Sequence, residues 1–229
     1  MIQTKQVNFE RSNDKYVPLS GLDMISTHFL IYDTSDICKP KLILAMRNCY
    51  KDRSDNHGIP LPIENYISST PLKMQRAWEK FNEGKSNIVD CNAWFVDPEY
   101  SFKKTGIPLS DLGFFMVVSH VLRMGLGHLV GVTNEKYKAS RWVEPVGDFE
   151  KGLLFNHPSM NIDHAFILLE PFNKEWFVDK YNKYKDLHES RMELIPSNLE
   201  ILDDEGLKEI VDRWSEDLQG DVGKMNLVS

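Results

Sequence analysis

The sequence predicts an α/β (α+β) fold in which helices cover both faces of a mixed sheet, giving three layers. Two observations support this prediction. Short runs rich in β-branched and aromatic residues recur along the chain, and segments with apolar residues at helical spacing lie between and after them. The β-rich runs are residues 28–35, 41–50, 87–96, 128–133 and 164–171.

The first two β-rich runs predict a hairpin of antiparallel strands, because only the short segment from Asp36 to Pro40 separates them. The second run is apolar at consecutive positions, as expected of a central strand covered on both faces. The following segment, residues 51–64, is rich in Asp, Asn, Gly and Pro, and it predicts a loop.

Four segments predict longer helices, and a short further helix is expected between the strand at 128–133 and Gly147. The first begins at the cap-like Ser69-Thr70-Pro71 and ends near Gly84, and the second, residues 112–124, is apolar on nearly every side and should be buried against the sheet. Two more lie towards the C-terminus, the last capped by Asp203 or Asp204 and followed by a loose tail over 220–229. The apolar positions behind these predictions are Met74, Ala77, Trp78 and Phe81, then Trp176, Phe177, Tyr181 and Tyr184, then Leu207, Ile210, Val211, Trp214 and Leu218.

The bulk composition is that of an ordinary globular protein. A chain of 229 residues with 41% hydrophobic and 27% charged residues can bury one sizeable core, so one large domain is expected. A net charge of −7 gives no overall basic field, so neither nucleic acid nor an anionic membrane is an expected partner. The sequence shows no signal peptide and no run of about 18 apolar residues, so no membrane span is predicted and a cytoplasmic location is expected.

The three cysteines, Cys38, Cys49 and Cys91, are odd in number and have no paired Cys-x-x-Cys spacing. The pattern therefore predicts neither a disulfide framework nor a structural metal site. Reduced thiols are expected.

The loop between the strand that ends at Val96 and the helix that follows is a candidate anion site. It carries Lys103, Lys104, Thr105 and Gly106 just before a helix N-terminus, where free backbone N–H groups and the positive end of the helix dipole favour a phosphate or pyrophosphate. The loop matches neither the Walker A pattern nor Gly-x-Gly-x-x-Gly. From this loop alone, a plain strand-to-helix connection with solvated lysines is the alternative.

The order of the elements around this loop resembles the GNAT N-acyltransferase superfamily. A strand runs into the turn 96–100 (Val-Asp-Pro-Glu-Tyr), and a basic loop, a buried helix and a second strand follow, the strand leading into Asn134-x4-Ala139-x7-Gly147. The resemblance covers roughly residues 28–170. It implies a mixed, mostly antiparallel central sheet and an acyl-CoA or acyl-phosphopantetheine co-substrate, with no tightly bound cofactor.

The same resemblance assigns donor-binding roles to residues of this chain. A bulge on the strand before the loop, around Trp94, Phe95 and Val96, would hold the pantetheine arm. Residues 103–108 would hold the pyrophosphate and Asn134 with Ala139 would contact pantetheine; the full donor set is Trp94, Phe95, Val96, Lys103, Lys104, Thr105, Gly106, Ile107, Ser110, Asn134 and Ala139. Pro108 departs from the family's Gly or Ala, and Val143 stands where a tyrosine often acts as the general acid.

Within the superfamily, the acyl-homoserine-lactone synthase and long-chain N-acyl amino acid synthase type looks most similar. The shared features are a strand bearing Arg47, the loop 58–62 (Gly-Ile-Pro-Leu-Pro) and a carboxylate, Asp90, on the strand before the turn at 96–100. Asp90 stands where a glutamate is usual, and Ala93 replaces an arginine. This resemblance implies an autoinducer-synthase-like transferase acting on a small-molecule amine, with acyl carrier protein as a possible partner.

Asp90, Asn92 and Arg47 are the candidate catalytic residues. Asp90 would take the amine proton directly or through water, and Arg47 would pair with a substrate carboxylate or a carrier phosphate. The structural alternatives are a buried Asp90 accepting a backbone N–H and an Arg47 held in an ion pair. Strand alternation predicts Asp90, Asn92 and Trp94 on one face and Cys91, Ala93 and Phe95 on the other.

Other chemistry is less well supported by the pattern. Cys91 beside Asp90 suggests a nucleophile, but no histidine is placed by sequence to activate it. His57, His157 and His164 lie in or beside loops where a base can act. The C-terminal aromatic residues and the methionines fit a core better than an acyl pocket, although an acyl tail would need such a lining.

The sequence thus predicts an N-acyltransferase that moves an acyl group from acyl-CoA or acyl carrier protein to a small amine such as an amino acid. Two alternatives remain: a catalytically silent binding or sensor module of the same fold, and a peptide or protein N-acetyltransferase. Residues 1–195 are expected to form the acyltransferase domain, with 196–229 as a C-terminal helix and tail packed on it.

Overall fold

The computed structural model describes residues 20–149, 152–156, 161–191 and 204–225. Seven strands of the described chain form one mixed sheet in the order β1-β2-β3-β4-β7-β5, with β6 also paired to β7. The β3–β4 pair is parallel and the other pairs are antiparallel. The strands are β1 Thr27–Asp33, β2 Lys41–Tyr50, β3 Ile88–Val96, β4 His128–Asn134, β5 Gly147–Phe149, β6 Leu154–Asn156 and β7 Asp163–Phe172.

Helices cover both faces of this sheet, so the predicted three-layer, mostly antiparallel architecture is confirmed. Two 3-10 turns follow β3 and β4, at Pro98–Tyr100 and Glu135–Tyr137. The helices are α1 Gly21–Ile25, α2 Lys51–His57, α3 Glu64–Ile67, α4 Leu72–Asn82, α5 Phe102–Thr105, α6 Leu109–Arg123, α7 Ser140–Val143, α8 Lys174–Glu189 and α9 Asp204–Met225. No helix in the described ranges combines the length and apolarity needed to cross a bilayer.

Two buried clusters lie on opposite faces of the sheet. One packs α6, α8 and α9 against the face that carries Val89 and Leu129. The other packs α4 and the loop before it against the face that carries Ile88 and Val130. Neighbouring residues of a strand point to opposite faces. Val89 and Leu129 therefore contact one helical layer, whereas Ile88 and Val130 contact the other. β2 is buried at every position from 43 to 50, which confirms that it is a central strand covered on both faces.

Several predicted boundaries were wrong. Residues 51–57, predicted as loop, form α2, because Lys51 and Asp55 pair one helical turn apart and Gly58 ends the helix with a left-handed φ of 61°. This helix buries only Ser54, so its polar composition resembled that of a loop. Helix α6 begins at Leu109 rather than Leu112. The short strands β5 and β6 were not predicted.

At the C-terminus, α9 continues to Met225, beyond the predicted start of the loose tail at residue 220. The candidate cap Asp203 and the last residues, 226–229, lie outside the described residues.

Candidate functional site

The sheet opens between β3 and β4. These parallel strands pair only from Ile88–Asp90 to His128–Val130. Beyond that point β3 stays with β2 as far as Val96, whereas β4 stays with β7 as far as Asn134. The gap between residues 91–96 and 131–134 is called the split. Its two edges present backbone groups that an extended ligand chain can pair with.

Gly131 lies at the vertex of the split, which is the point where β3 and β4 stop pairing. A Cβ atom at this position would lie 2.9 Å from the carbonyl oxygen of Cys91 on β3, closer than real Cβ contacts come. The absence of a side chain therefore allows the two strands to approach each other at the point where they diverge.

A β-bulge lies on the β3 edge of the split. Two steps along β2, from Ala45 to Arg47, match three steps along β3, from Phe95 to Asn92. The extra residue is accommodated at Ala93, whose φ of 55° is left-handed. The resemblance placed a bulge around Trp94 to Val96, so the irregularity begins slightly earlier than expected.

The bulge corrects the predicted alternation of side chains along β3. Trp94 was predicted to share a face with Asp90 and Asn92, and this is wrong. It packs on Phe114 of α6, with ring centroids 4.6 Å apart, in the same layer as Cys91. The extra residue at the bulge reverses the order of faces for the rest of the strand.

The open end of the split is bordered by the loop between β3 and α6. Lys103 and Lys104 are exposed on the one-turn helix α5, which Gly106 ends with a φ of 70°. The N–H of Gly106 donates to Phe102 and that of Ile107 donates to the Thr105 hydroxyl at 3.2 Å, so both loop amides are used internally. The first-turn amides of α6, which include that of Ser110, have no carbonyl one turn earlier within the helix.

The first turn of α6 also carries an acidic contact that the sequence reasoning missed. Asp111 accepts a hydrogen bond from the Tyr184 hydroxyl at 2.9 Å and an ion pair from Lys180 at 3.1 Å, and Lys183 lies 3.6 Å away. Burial and this hydrogen bond raise the pKa of Tyr184. The contact fixes α8 beside the N-terminus of α6 and brings further lysines there.

Asp90 lies at the vertex on the face opposite α6. Its side chain is 2% exposed and accepts the backbone N–H of Ile63 at 2.7 Å, and the Asn92 amide lies 3.4 Å from its other oxygen. Burial raises the pKa of Asp90 to about 7, although the hydrogen bond from Ile63 acts in the opposite direction. The structure therefore contains the backbone contact named as the structural alternative, together with a pKa suited to proton transfer near neutral pH.

Arg47 lies beside Asp90 in the same layer and is 2% exposed. Its Nε and Nη2 donate to Oδ1 of Asn92 at 2.9 and 2.7 Å, and its Nη1 pairs with Asp23 at 2.5 Å. Asn92 in turn donates to the carbonyl oxygen of Asp90 at 3.0 Å and to the sulfur of Cys49 at 3.4 Å. The three predicted catalytic residues thus form one polar network, in which Arg47 and Asp90 are buried and Asn92 is half-buried.

Asp23 was missed by the sequence reasoning, although a signal for it existed. Ser20 and Asp23 form a capping box at the start of α1, and the spacing Ser-x-x-acid is the pattern for such a box. The pattern predicts a helix start and contains nothing about a contact with Arg47.

Comparison with solved structures identifies the fold. BjaI, a CoA-dependent acyl-homoserine lactone synthase solved with SAM and isopentyl-CoA, matches with a TM-score of 0.51 at 11% identity over 80% of this chain and 77% of BjaI. The chain has a GNAT-like fold. BjaI with MTA matches with a TM-score of 0.51 at 8% identity, over 80% and 79% of the two chains. FeeM, an N-acyl amino acid synthase from uncultured soil microbes, matches with a TM-score of 0.48 at 16% identity, over 76% and 85%.

No protein-family model matches the sequence, and no curated protein matches it. At 8% and 11% identity, the likeness to BjaI establishes the GNAT-like fold and not the reaction.

In this GNAT-like fold, the segment after β4 forms a tight turn at the open end of the split. Asn134 accepts the N–H of Lys136 at 3.0 Å through its side chain, and its carbonyl oxygen accepts the N–H of Ala139 at 3.3 Å. Both predicted donor-binding residues therefore have structural roles in the turn. Val143 is 3% exposed in the α6 layer, so its position offers no general acid.

The remaining candidates are separate from the Asp90 network or chemically unsuited. Burial raises the pKa of the Cys91 thiol, which disfavours a thiolate nucleophile. His57 is exposed at the end of α2, and His164 is buried on β7 with its Nδ1 2.8 Å from the carbonyl oxygen of Ile162. His157 lies outside the described residues. Within the described ranges, no group of His, Cys, Asp or Glu side chains is placed to hold a metal ion.

The C-terminal aromatic residues pack as core. The ring of Phe115 on α6 lies 5.8 Å from that of Phe177, whose ring is 5.7 Å from Trp214 on α9. A cavity of about 180 Å³ lies between α8 and α9, but it shares no residue with the split. It is lined by Tyr181, His188, Glu189, Glu205, Leu207 and Lys208.

Proposed function

We propose that the protein is an N-acyltransferase that moves an acyl group from an acyl thioester, carried by CoA or by acyl carrier protein, to the amine of a small molecule. The observation that carries this proposal is the split. It combines parallel strands that part after three residue pairs, a bulge on one edge and a helix N-terminus at the open end.

The split suits the pantetheine arm of such a donor. Pantetheine is a narrow, extended chain with two amide groups, and amides pair with the free edge of a strand as a peptide does in strand addition. Residues 91–96 and 131–134 offer two such edges. The diphosphate of CoA, or the phosphate of a carrier protein, would then lie at the open end, where Lys103, Lys104 and the Ser110 amide in the first turn of α6 favour an anion.

Asp90 is the proposed proton acceptor. An acceptor amine that arrives as an ammonium ion gives a proton to Asp90, directly or through a water, and its lone pair then attacks the thioester carbonyl carbon. The new C–N bond forms, the C–S bond breaks and the thiolate leaves. The proton that the attacking nitrogen loses finally protonates the thiolate, so the products are an amide and a free thiol. Because thiolates leave readily, the hydrophobic Val143 does not prevent this reaction.

A donor and acceptor screen tests the proposal. The protein is incubated with acyl-CoAs and acyl carrier proteins of different chain lengths and with a panel of amines and amino acids, and amides are detected by mass spectrometry. Melting temperatures are recorded with each donor alone, since a ligand of the folded state raises them. Amide formation with a rise in melting temperature is expected. The proposal is overturned if no amide forms and no donor raises the melting temperature.

A double variant addresses the anion site within the same screen. Lys103→Gln with Lys104→Gln should raise the KM for the donor roughly three- to tenfold, more at low salt, with little change in kcat. Lys80→Gln, on the exposed side of α4, is the matched control and should leave both constants unchanged. An unchanged donor KM in the double variant would remove these lysines from the donor site.

A binding module without catalysis is the second candidate, and the network around Arg47 favours it. Arg47 and Asp90 both have protein partners, as residues with purely structural roles do. This candidate predicts that donors raise the melting temperature while no amine in the panel is acylated. Detection of any donor-dependent amide product excludes it.

A further inference from the structure

We propose that the open end of the split is a docking surface for an anionic lipid bilayer, to which the protein binds peripherally. The surface consists of residues 34–40, 101–107 and 136–142 and is called the rim. The inference goes beyond the proposed function and does not depend on it, because the rim would contact lipid whichever reaction the split supports.

The three segments of the rim meet at one end of the sheet because the strands that precede them run in the same direction. β1 and β3 are both antiparallel to β2, and β4 is parallel to β3. The loops that follow β1, β3 and β4 therefore leave the sheet at the same edge. The N–H of Ala139 donates to the carbonyl oxygen of Asn134 at 3.3 Å, which ties α7 to the end of β4.

Each segment of the rim carries a large apolar side chain that is more than half exposed. Ile37 is 88% exposed, Phe102 is 61% exposed and Trp142 is 54% exposed. Exposed apolar groups that collect at one end of a molecule mark an interaction surface. Tryptophan and phenylalanine suit the boundary between lipid headgroups and acyl chains, where part of the ring can leave water.

The rim is basic although the whole protein has a net charge of −7. Its charged residues, all of them exposed, are one acidic residue and six basic ones: Asp36, Lys39, Lys103, Lys104, Lys136, Lys138 and Arg141. Acidic residues beside the rim are held in other contacts, since Asp97 and Glu99 both pair with Lys41 at 3.0 Å. The rim thus presents local positive charge to a partner that the protein as a whole would repel.

This combination of charge and shape fits a lipid surface. The apolar side chains belong to three separate loops, and a fluid bilayer can receive several separate side chains at once. The basic side chains between them would contact lipid phosphates, which adds electrostatic attraction to the burial of apolar area. An acidic protein would match the charge equally well, so it is the alternative that the experiment must distinguish.

Vesicle cosedimentation tests the inference with a rim variant, Ile37→Ser with Phe102→Ser and Trp142→Ser. None of these residues is assigned to the donor site, whereas Lys103 and Lys104 are. The natural protein should bind vesicles of phosphatidylcholine mixed with phosphatidylglycerol, more weakly as salt rises and more weakly without phosphatidylglycerol. The partition coefficient of the rim variant for mixed vesicles should be lower by roughly tenfold or more.

The matched control removes apolar side chains of similar exposure from other elements. Met24→Ser, Leu72→Ser and Leu187→Ser are combined, at positions that are 75%, 67% and 57% exposed. This control should bind the mixed vesicles as the natural protein does. Melting temperatures of both triple variants are recorded, and substitutions at such exposed positions should leave them close to that of the natural protein.

Tryptophan quenching gives a second measurement that needs only a mild substitution. The five tryptophans all lie in the described ranges, and Trp142 is the exposed one among them. Brominated lipids in the mixed vesicles should quench the fluorescence of the natural protein. Trp142→Phe should still bind the vesicles but lose most of the quenching. Unchanged quenching in this variant would place a different surface on the bilayer and overturn the inference.

The other outcomes are equally decisive. The inference is overturned if the natural protein does not bind mixed vesicles, or if the rim variant and the control variant bind them equally. Binding of an acidic acyl carrier protein that the rim variant loses, without vesicle binding, would overturn it and assign the rim to a protein. Vesicle binding needs neither donor nor acceptor, so rim-dependent binding without acyl transfer would support the rim and contradict the proposed function.

Discussion

Asp90 combines two properties that sequence reasoning treated as alternatives. It accepts a backbone N–H from Ile63, which is a structural contact, and its burial raises its pKa to about 7, which suits a base. Since one carboxylate has two oxygens, the oxygen that faces Asn92 at 3.4 Å remains available for a weaker, exchangeable contact. A structural hydrogen bond and proton transfer are therefore compatible at this residue.

The raised pKa of Asp90 predicts how stability depends on pH. The pKa is about 7 in the folded protein against an ordinary value of 3.8, so between these values the folded state holds a proton that the unfolded state has released. The free energy of unfolding should therefore fall as pH rises from about 4 to about 7, by about 4 kcal/mol at most. Asp90→Asn should remove this slope, which urea unfolding at a series of pH values measures.

Turnover should show the opposite trend, because the base must be ionised. Acyl transfer by the natural protein is expected to rise with pH through an apparent pKa of about 7, and Asp90→Asn should lower kcat at least about a hundredfold. Parallel stability profiles for the two proteins would show that the pKa of Asp90 is not raised by folding, and turnover that survives the substitution would show that Asp90 is not the base.

At the scale of elements, the split depends on the close approach of β3 and β4 at Gly131. Gly131→Ala should place a methyl group 2.9 Å from the Cys91 carbonyl oxygen, and a backbone carbonyl cannot move aside as a flexible side chain can. We expect a loss of about 1–3 kcal/mol in the free energy of unfolding and weaker donor binding. Chemical denaturation and donor titration measure the two effects.

Gly127→Ala is the matched control for the vertex. Gly127 lies just before β4, and a Cβ atom there would meet no atom within 4 Å. Its substitution should leave stability and donor binding close to those of the natural protein. Equal behaviour of the two alanine variants would mean that strand spacing at the vertex does not shape the site.

The sequence predicted well those elements in which the spacing of the apolar residues matches the positions that are buried. β2 is apolar at consecutive positions and is buried on both faces, and α4 carries its apolar residues at helical spacing. α2 was missed because its stability comes from an internal ion pair and a glycine cap rather than an apolar stripe. The bulge at Ala93 was misplaced because only the register with β2 defines it.

The candidate site was predictable in part for the same reason. The structure brings Arg47, Asp90 and Asn92 together because β2 and β3 are antiparallel neighbours, and the catalytic roles of these residues stay predictions. Asp23 and Asp111 were not predictable, because their partners lie 24 and 73 residues away along the chain. The donor-binding roles of Lys103, Asn134 and their neighbours stay predictions.

At the scale of the whole molecule, α9 packs on the α8 layer through Leu207, Val211 and Trp214. The prediction that residues 196–229 belong to the same domain implies one unfolding transition. Leu207→Ala, at a position 1% exposed, should lower the stability of the whole protein by about 2–4 kcal/mol in a single transition. Differential scanning calorimetry measures this, with the exposed Glu209→Gln as control. A separate early transition for α9 would indicate an independent C-terminal unit.

In the described part of the chain, the split also divides the sheet into two leaves that are joined edge to edge through three residue pairs. One leaf contains β1, β2 and β3, and the other contains β4 to β7, and the buried cluster that includes α6, α8 and α9 contains residues of both leaves. A ligand chain lying in the gap would add backbone contacts to both leaves and act as a missing strand. Donor binding and the mechanical closure of the sheet are then the same event, so the protein should be stiffest when it is loaded for reaction.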